Sequence, residues 1–278
     1  MAEKFKKISL FIDSGAFSAW SKNVNIDIDE YIAFIKKYIH YIDVYVNLDV
    51  IGDAENTYKN QKYMESKGLR PMPVFHTTRE DVSWFERYMK EGYEYIGLGG
   101  MAGGDITKVQ IMPFLDNLFT NYICGKDGIP KVKIHGFGMT SLSLMLRYPW
   151  YSVDSTSWVM TGRFGAIFVP KKKNGKYNYY QNPYKVNVSD QSTKQKDAGQ
   201  HFNTFSKMEQ QEIVNYLKEK GYEIGKKDKE GKVIVSGVQD DYKKRDEVNI
   251  IYFNDLQRLF PAWPWKFKLD KPKGFGLI

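Results

Sequence analysis

The chain has 278 residues, 42% of them hydrophobic and 15% aromatic, with a formal net charge of +8. That content suffices for one large α/β core, no run approaches the roughly 18 apolar residues of a membrane span, and Met1-Ala2-Glu3-Lys4 lacks a signal-peptide layout, so a cytoplasmic protein is expected. One cysteine, Cys124, excludes an internal disulfide and any zinc site built on paired cysteines; set among Leu118, Phe119, Tyr122 and Ile123, it reads as a small core residue.

From the N-terminus, short β-rich runs alternate with helical patterns. "KISLFID" (7–13) reads as a strand, and the helix pattern "DIDEYIAFIKKYIH" that follows opens on an Asp cap. "IDVYVNLDV" (42–50) leads to "DAENTYKNQKYMESKG", a helix stopped by a Gly. "MPVFHT" (72–77) leads to "TREDVSWFERYMKEG", a helix with a Thr cap, and "YIGLGG" (95–100) leads to "TKVQIMPFLDNLF". "KVKIHGFG" (131–138), a short helix from Thr140 to Tyr148, and "YSVDSTS" (151–157) complete the series. Strands separated by single helices pair in parallel, and six such units predict a (β/α)8 TIM-like barrel core over 1–165, with an open doubly wound sheet as the alternative.

Beyond residue 158 the alternation becomes irregular. "GAIFVP" (165–170) and "YNYYQNPYKVNV" (177–188) flank "KKKNGK", a hairpin turning at Asn174-Gly175; a helix over 206–221, a strand "KVIVSG" and a helix over 245–260 follow. These elements, 166–278, are expected to complete the barrel as a basic C-terminal extension with irregular last strands. Residues 1–165 hold 19 basic and 19 acidic side chains and residues 166–278 hold 22 and 14, so the whole positive excess lies in the last part. Bases alternate there with aromatic residues, as in "KKKNGKYNYYQNPYK" and "FPAWPWKFKLDKPKGF". Lys171, Lys172 and Lys173 could therefore neutralise phosphates while rings stack on bases; a solvated hairpin and a C-terminal strap explain the same composition equally well.

Chemistry-bearing residues fall at the C-terminal ends of the six strands: Asp13, Asp49, His76, the pair Gly99 and Gly100, His135 and Asp154. In a β/α barrel those ends share one face, where active sites form. Each residue alone has a structural explanation, since an Asp after a strand caps a turn and a lone His is often a hydrogen-bonded core residue. Their coincidence at corresponding positions is what marks a site. "GLGGMAGG" lacks the Lys-Ser/Thr of a phosphate-binding loop and the spacing of a dinucleotide fingerprint, and its glycines instead let backbone approach a flat ligand.

"DSGAFS", "NLDV", "GLGGMAGG", "HGFG" and "YSVDSTSW", in this order over residues 7–165, resemble the tRNA-guanine transglycosylase superfamily, most closely the phage and bacterial branch that places 7-deazaguanines in DNA. The resemblance implies Asp154 as nucleophile, Asp13 as acid/base, and Asp49 as reader of the purine edge. It implies further base contacts at Ser14, Gly15, Phe17, His76, Gly99, Gly100 and His135, with His76 standing where the superfamily often has a Gln. It calls for no cofactor and no metal. The partners it implies are DNA, alternatively tRNA, and a 7-deazaguanine such as 7-cyano-7-deazaguanine. The chain departs from the tRNA enzymes in three ways: Asp-Ser-Gly-Ala-Phe-Ser replaces Asp-Ser-Gly-Gly-Phe-Gln, Val50-Ile51 follows Asp49, and the zinc-binding Cys/His cluster is missing. Arg147 and Arg163 are candidates for the phosphates beside a flipped nucleotide, and Phe17, Trp20, Phe75 and Trp158 for holding its base. The other readings of these residues are a hydrolytic glycosylase and a non-catalytic nucleic-acid-binding barrel.

Overall fold

In a computed structural model, which describes residues 9–77, 79–101, 108–139, 141–192 and 197–269, each of the six expected strands is present and shorter than its sequence pattern. In chain order the elements are β1 (Phe11–Ile12), α1 (Ala16–Ser21), α2 (Ile28–Tyr38), β2 (Val44–Tyr45), α3 (Ala54–Ser66), β3 (Val74–His76), α4 (Val82–Lys90), β4 (Tyr95–Gly99), α5 (Lys108–Leu118), β5 (Lys133–Gly136), α6 (Leu142–Arg147) and β6 (Ser152–Val153). They are followed by α7 (Ser157–Arg163), β7 (Ala166–Val169), β8 (Lys171–Lys173), β9 (Lys176–Asn178), β10 (Tyr184–Asn187), α8 (Lys207–Glu219), β11 (Lys226–Lys227), β12 (Val233–Val235) and α9 (Tyr242–Leu259). The short helix α1 has no counterpart in the sequence reading.

The chain forms two compact units. One comprises Met1–Met139, Arg147–Asp154 and Trp263–Ile278, and the other Thr140–Leu146 and Ser155–Ala262, so the change in charge near residue 165 falls inside the second.

In the first unit β1 pairs with β2 and β3-β4-β5-β6 form a second run, all parallel, and a parallel bridge between Val46 and Met72 joins the two. Six parallel strands thus lie side by side in chain order. The strands are short because each leaves the ladder as soon as its C-terminal residues turn toward helix or loop. One face carries α2 and α3, whose Tyr31, Ile32, Ile35 and Met64 pack with Leu48 and Ile12. The other gathers Phe11, Val46, Met72, Val74, Tyr95 and Phe137. The sheet curls toward this inner face, since Phe11 of β1 stacks on His135 of β5 with centroids 4.5 Å apart. Gly97 makes that packing possible: a Cβ there would lie 2.5 Å from the Phe137 ring.

The caps follow the sequence with one change. Asp27 accepts from the N–H groups of Asp29 and Glu30, and Asp53 from that of Asn56. Thr78 lies outside the described residues, and α4 is capped by Asp81, which accepts from Ser83 N–H. A proline, Pro113, sits inside α5, which continues as a π-helical turn over Phe119–Ile123. Cys124 beside it is buried, and burial pushes its thiol up to about 11. The C-terminal segment returns to the first unit. Phe267 is buried against Tyr148 and Phe119, and Trp263 Nε1 donates to Pro149 O at 3.1 Å. Those rings belong to a packed strap rather than to a stacking surface.

The α/β class holds, but the barrel does not close among the described residues. In the second unit β7 pairs antiparallel with β10, Ala166 opposite Asn187, over a core of Ile167, Val169, Val186, Ile213, Tyr216 and Val248. The physical reason is the connection: the hairpin β8–β9 brings the chain back antiparallel, where a parallel strand would need a crossover helix. Its turn is Asn174-Gly175, with φ of 52° and 75°, the left-handed pair that a two-residue hairpin favours.

Candidate active site

β1 ends at Ile12, and the next three residues set the first catalytic candidate. Gly15 adopts φ +76°, a conformation strained for any side chain, and so lets the chain turn directly into α1. Asp13 is left open to solvent on one side with the backbone N–H groups of Ser14 and Gly15 on the other. Ser14 is buried. Its Oγ accepts from Ala16 N–H at 3.1 Å and donates to Asp49 Oδ1 at 2.8 Å, tying the end of β1 to the segment after β2.

Asp49 belongs to a buried polar chain. Its Oδ2 meets His76 Nε2 at 3.0 Å, and His76 Nδ1 meets Glu80 Oε1 at 2.8 Å, while Glu80 Oε2 accepts the His76 backbone N–H at 3.0 Å. Burial alone would hold this imidazole down, but its hydrogen bonds to Asp49 and Glu80, reinforced by their charges, push it up to about 9. At neutral pH His76 is therefore a cation that donates from both nitrogens. With 2% of its surface exposed it faces no ligand and acts by fixing Asp49. Gly99 is the wall behind it, since a Cβ there would stand 2.8 Å from His76 Cδ2. Gly99 O accepts from Thr77 Oγ1 at 2.9 Å and Thr77 N–H at 3.0 Å, and Gly100, with φ +76°, turns the chain away. The remainder of "GLGGMAGG" beyond Met101 lies outside the described residues.

Asp154 follows β6 directly. Its Oδ1 accepts from Gly138 N–H at 2.6 Å and lies 3.9 Å from His135 Nε2. Its side chain is 49% exposed. Crowding by the surrounding protein raises its carboxyl above the ordinary range, partly offset by the Gly138 N–H. Asp13 is raised too, first by the same crowding, then by the charge of Asp49 and of Asp154. The ends of the first and sixth strands thus hold two accessible acids, and the charge of Asp154 reaches Asp13. His135 is 3% exposed, and burial pushes it down to about 4, which keeps it neutral.

Two exposed aromatics stand on α1 just beyond Asp13. Phe17 and Trp20 are 50% and 53% exposed with ring centroids 6.0 Å apart, and the Arg79 guanidinium lies 5.8 Å from the Trp20 ring. A cavity of about 240 Å³ opens between α1 and the segment after β2, lined by Ala16, Trp20, Ile26, Leu48, Asp49 and Val50. A larger one, about 790 Å³, lies at the opposite, N-terminal ends of the strands beside Asp43, Lys62, Arg70 and Tyr95. Of the strand-end acids only Asp49 lines the smaller one, which lies at the C-terminal ends of the strands; Asp13 and Asp154 are not part of its wall.

The other candidates lie elsewhere. Phe75 is fully buried against Phe85 and Phe114. Arg147 forms a two-pronged pair with Asp116, Nε to Oδ1 at 2.9 Å and Nη2 to Oδ2 at 2.8 Å, so its fork is already engaged. Arg163, exposed at the end of α7, and Trp158 belong to the second unit. So do Lys171 and Lys172, whose ammonium groups lie 4.9 Å from the rings of Tyr184 and Tyr177, and Lys173, exposed beside the turn. Glu80, Ser152 and Tyr95 are site residues the sequence reading missed. Glu80 is four residues past the end of β3 and looks like any acid ahead of a helix. Ser152 and Tyr95 are polar residues inside strand patterns, the one available signal.

Among the described residues no group of three His, Cys, Asp or Glu side chains converges to hold a metal ion, and no helix is long and apolar enough to cross a membrane. No protein-family model matches the chain, and no curated protein or solved structure matches it either.

Proposed function

We propose that the chain is a base-exchange transglycosylase of the tRNA-guanine transglycosylase type, replacing guanine in DNA by a 7-deazaguanine through a covalent bond between Asp154 and the sugar. The observation that carries this reading is the pair of accessible carboxyls at the ends of β1 and β6, both raised by crowding, with the charge of Asp154 adding to the rise of Asp13, beside an Asp49 that is held by Ser14 and His76. The charge of Asp154 helps hold the proton on Asp13, as an acid beside a carboxylate nucleophile requires. Six parallel strands in chain order, with Phe11 reaching His135 across the inner face, support an incomplete barrel as the frame.

The chemistry follows from those two groups. A carboxylate oxygen of Asp154 attacks C1′, the C1′–N9 bond breaks with its electron pair going to guanine, and Asp13 gives that base its proton. The incoming 7-deazaguanine returns a proton from its own N9 to Asp13, and N9 attacks C1′ to release Asp154. The cavity beside Asp49 is smaller than the ~300–1,000 Å³ usual for larger ligands and suits a single planar base. A base inside a duplex is out of reach, so the nucleotide must flip or be single-stranded, and the exposed Phe17, Trp20 and Arg79 offer it a stacking surface. DNA is favoured over tRNA by the resemblance and by the single cysteine, which cannot build the zinc subdomain of the tRNA enzymes. Lysines over tyrosine rings on β8 suit a phosphate backbone.

The test is incubation of the chain with labelled guanine or labelled 7-cyano-7-deazaguanine, separately with DNA and with tRNA. Incorporation into DNA is the expected result. Incorporation into tRNA alone overturns the choice of substrate, guanine release without incorporation replaces exchange by hydrolysis, and binding without turnover removes the enzymatic reading.

A further inference from the structure

Beneath Asp154 the inner face of the sheet holds a row of polar atoms that the proposed steps of base exchange leave unused, His135 among them, since at 3% exposed it does not reach a base as the resemblance implied. Ser152 pairs with His135 across β5 and β6, and His135 pairs with Gly97, two residues beyond Tyr95 on β4. Residues two apart on a strand share a face, so Tyr95, His135 and Ser152 project to the same side. Tyr95 Oη and Ser152 Oγ are 2.5 Å apart, Ser152 Oγ lies 2.6 Å from His135 Nδ1, and His135 Nε2 lies 3.9 Å from Asp154 Oδ1. The ring is clamped by Phe11, stacked at 4.5 Å, and by Phe137, edge-on at 4.4 Å. Its Nε2 is buried and has no hydrogen-bond partner among the described residues. A buried ring nitrogen left without a partner is costly and calls for a use. At the far end Tyr95 lines the cavity of about 790 Å³ at the N-terminal ends of the strands.

We infer that Tyr95, Ser152 and His135 form a proton wire through the sheet whose polarity is coupled to the ionisation of Asp154, a half-exposed carboxyl that also exchanges its proton with water directly. The purpose of the wire rests on the proposed base exchange, in which ionised Asp154 is the nucleophile; its existence does not. It has two polarities. With Asp154 protonated, the carboxyl O–H faces a bare Nε2, Nδ1–H donates to Ser152, Ser152 donates to Tyr95, and the Tyr95 O–H points outward. On ionisation along the wire the Asp154 side chain must first close the 3.9 Å to Nε2 to hydrogen-bond length; the Asp154 O–H bond then breaks as Nε2–H forms, Nδ1–H breaks as a new Ser152 O–H forms, the old Ser152 proton passes to Tyr95, and the old Tyr95 proton passes to water. One proton has moved from Asp154 to solvent, and no electron is transferred. Nε2–H then faces the carboxylate, with Ser152 donating to Nδ1 and Tyr95 to Ser152. His135 is neutral at both ends of the cycle, consistent with burial holding it near 4. Among the described residues the charge of Asp154 acts on Asp13 of the β1 end, as does that of Asp49, and the walls of the imidazole itself are Phe11 and Phe137. All three wire residues are positioning residues, acting through Asp154.

The experiment is a substrate-free NMR titration of the full chain, following the ¹⁵N shifts of His135 and the ¹³C carboxyl shift of Asp154. His135 should switch from the Nδ1–H to the Nε2–H tautomer with the same midpoint as Asp154. Tyr95→Phe removes the acceptor that Ser152 needs in the protonated polarity only, leaving a buried hydroxyl proton unmet. The Asp154 midpoint should therefore fall by roughly half to one pH unit. In a Ser152→Ala background, where the wire is already cut, Tyr95→Phe should leave the midpoint unmoved. A His135 that keeps one tautomer throughout, or a Tyr95→Phe shift that is absent or equal in both backgrounds, overturns the wire. Because no substrate is involved, a positive titration with no base exchange removes the functional reading and leaves the wire standing.

Discussion

Replacing His76 by Gln takes a cation from between two carboxylates that stay buried. Asp49 and Glu80 have side chains 9% and 2% exposed, so neither can turn to water for compensation. Loss of one partner from such a buried charge cluster costs roughly 3–5 kcal/mol at pH 6. The same site gives wild-type stability a pH signature. His76 is raised from 6.5 to about 9 on folding. The contribution of a raised histidine is complete below its unfolded value and is lost as pH climbs through the folded one. Between pH 6.5 and 9 the first unit should therefore lose about 3 kcal/mol, since each pH unit separating the folded from the unfolded value carries roughly 1.4 kcal/mol. Cys124, raised from 9.0 to about 11, lowers stability from about pH 9 upward, equally in wild type and variant, so it cancels from their difference. Urea unfolding of wild type and His76→Gln at pH 6 and pH 9.5 measures the difference. The two proteins should differ widely at pH 6 and converge at pH 9.5. Parallel curves, with the same gap at both pH values, would refute the argument that His76 is a buried cation.

Three further outcomes follow from the geometry. Gly99→Ala drives a methyl group to 2.8 Å from His76 Cδ2 and should destabilise the protein by about 1–3 kcal/mol, with the histidine's NMR titration midpoint moving back toward 6.5; an unchanged midpoint contradicts the wall assigned to Gly99. Gly15→Ala meets no steric obstacle nearer than Ile26 Cδ1 at 3.9 Å, so its cost is conformational, about 1 kcal/mol in denaturant unfolding, together with slowed exchange as Asp13 shifts. Asp13→Asn removes the acid while keeping the shape, and single-turnover exchange should slow by about 10²–10⁴ with folding stability at neutral pH no lower than that of wild type.

The site was legible wherever a strand ended on a residue that cannot be explained by the strand itself. Asp13 after "LFI", His76 after "VF" and Asp154 after "YSV" each break an apolar run at its C-terminal edge, and parallel pairing brings those edges together. The roles were less legible than the positions. His76 and His135 both stand near the C-terminal ends of their strands, two residues apart in register, yet one is flanked by two carboxylates and charged, the other by a serine and two phenyl rings and neutral. That difference comes from Asp49 and Phe11, which lie near them only after folding, and from Glu80, whose carboxyl turns back from four residues on to meet the His76 ring. Closure of the barrel was misjudged because a β/α count gives the direction of each strand only while helices separate them. After α7 the connections become hairpins, and pairing turns antiparallel between β7 and β10. Aromatic residues interleaved with bases read alike whether they stack on bases or pack inward. Trp263 and Phe267 pack, and their burial depends on Pro149, Tyr148 and Phe119, more than a hundred residues earlier.

The most direct measurement is to quench the chain with a guanine-containing, end-labelled oligodeoxynucleotide and resolve the mixture on a denaturing gel. A labelled band at the mass of protein plus DNA should form with wild type, disappear with Asp154→Asn, and be discharged by added 7-cyano-7-deazaguanine. A band of the same intensity in Asp154→Asn, or one that the free base cannot discharge, contradicts an Asp154 ester on the path of base exchange.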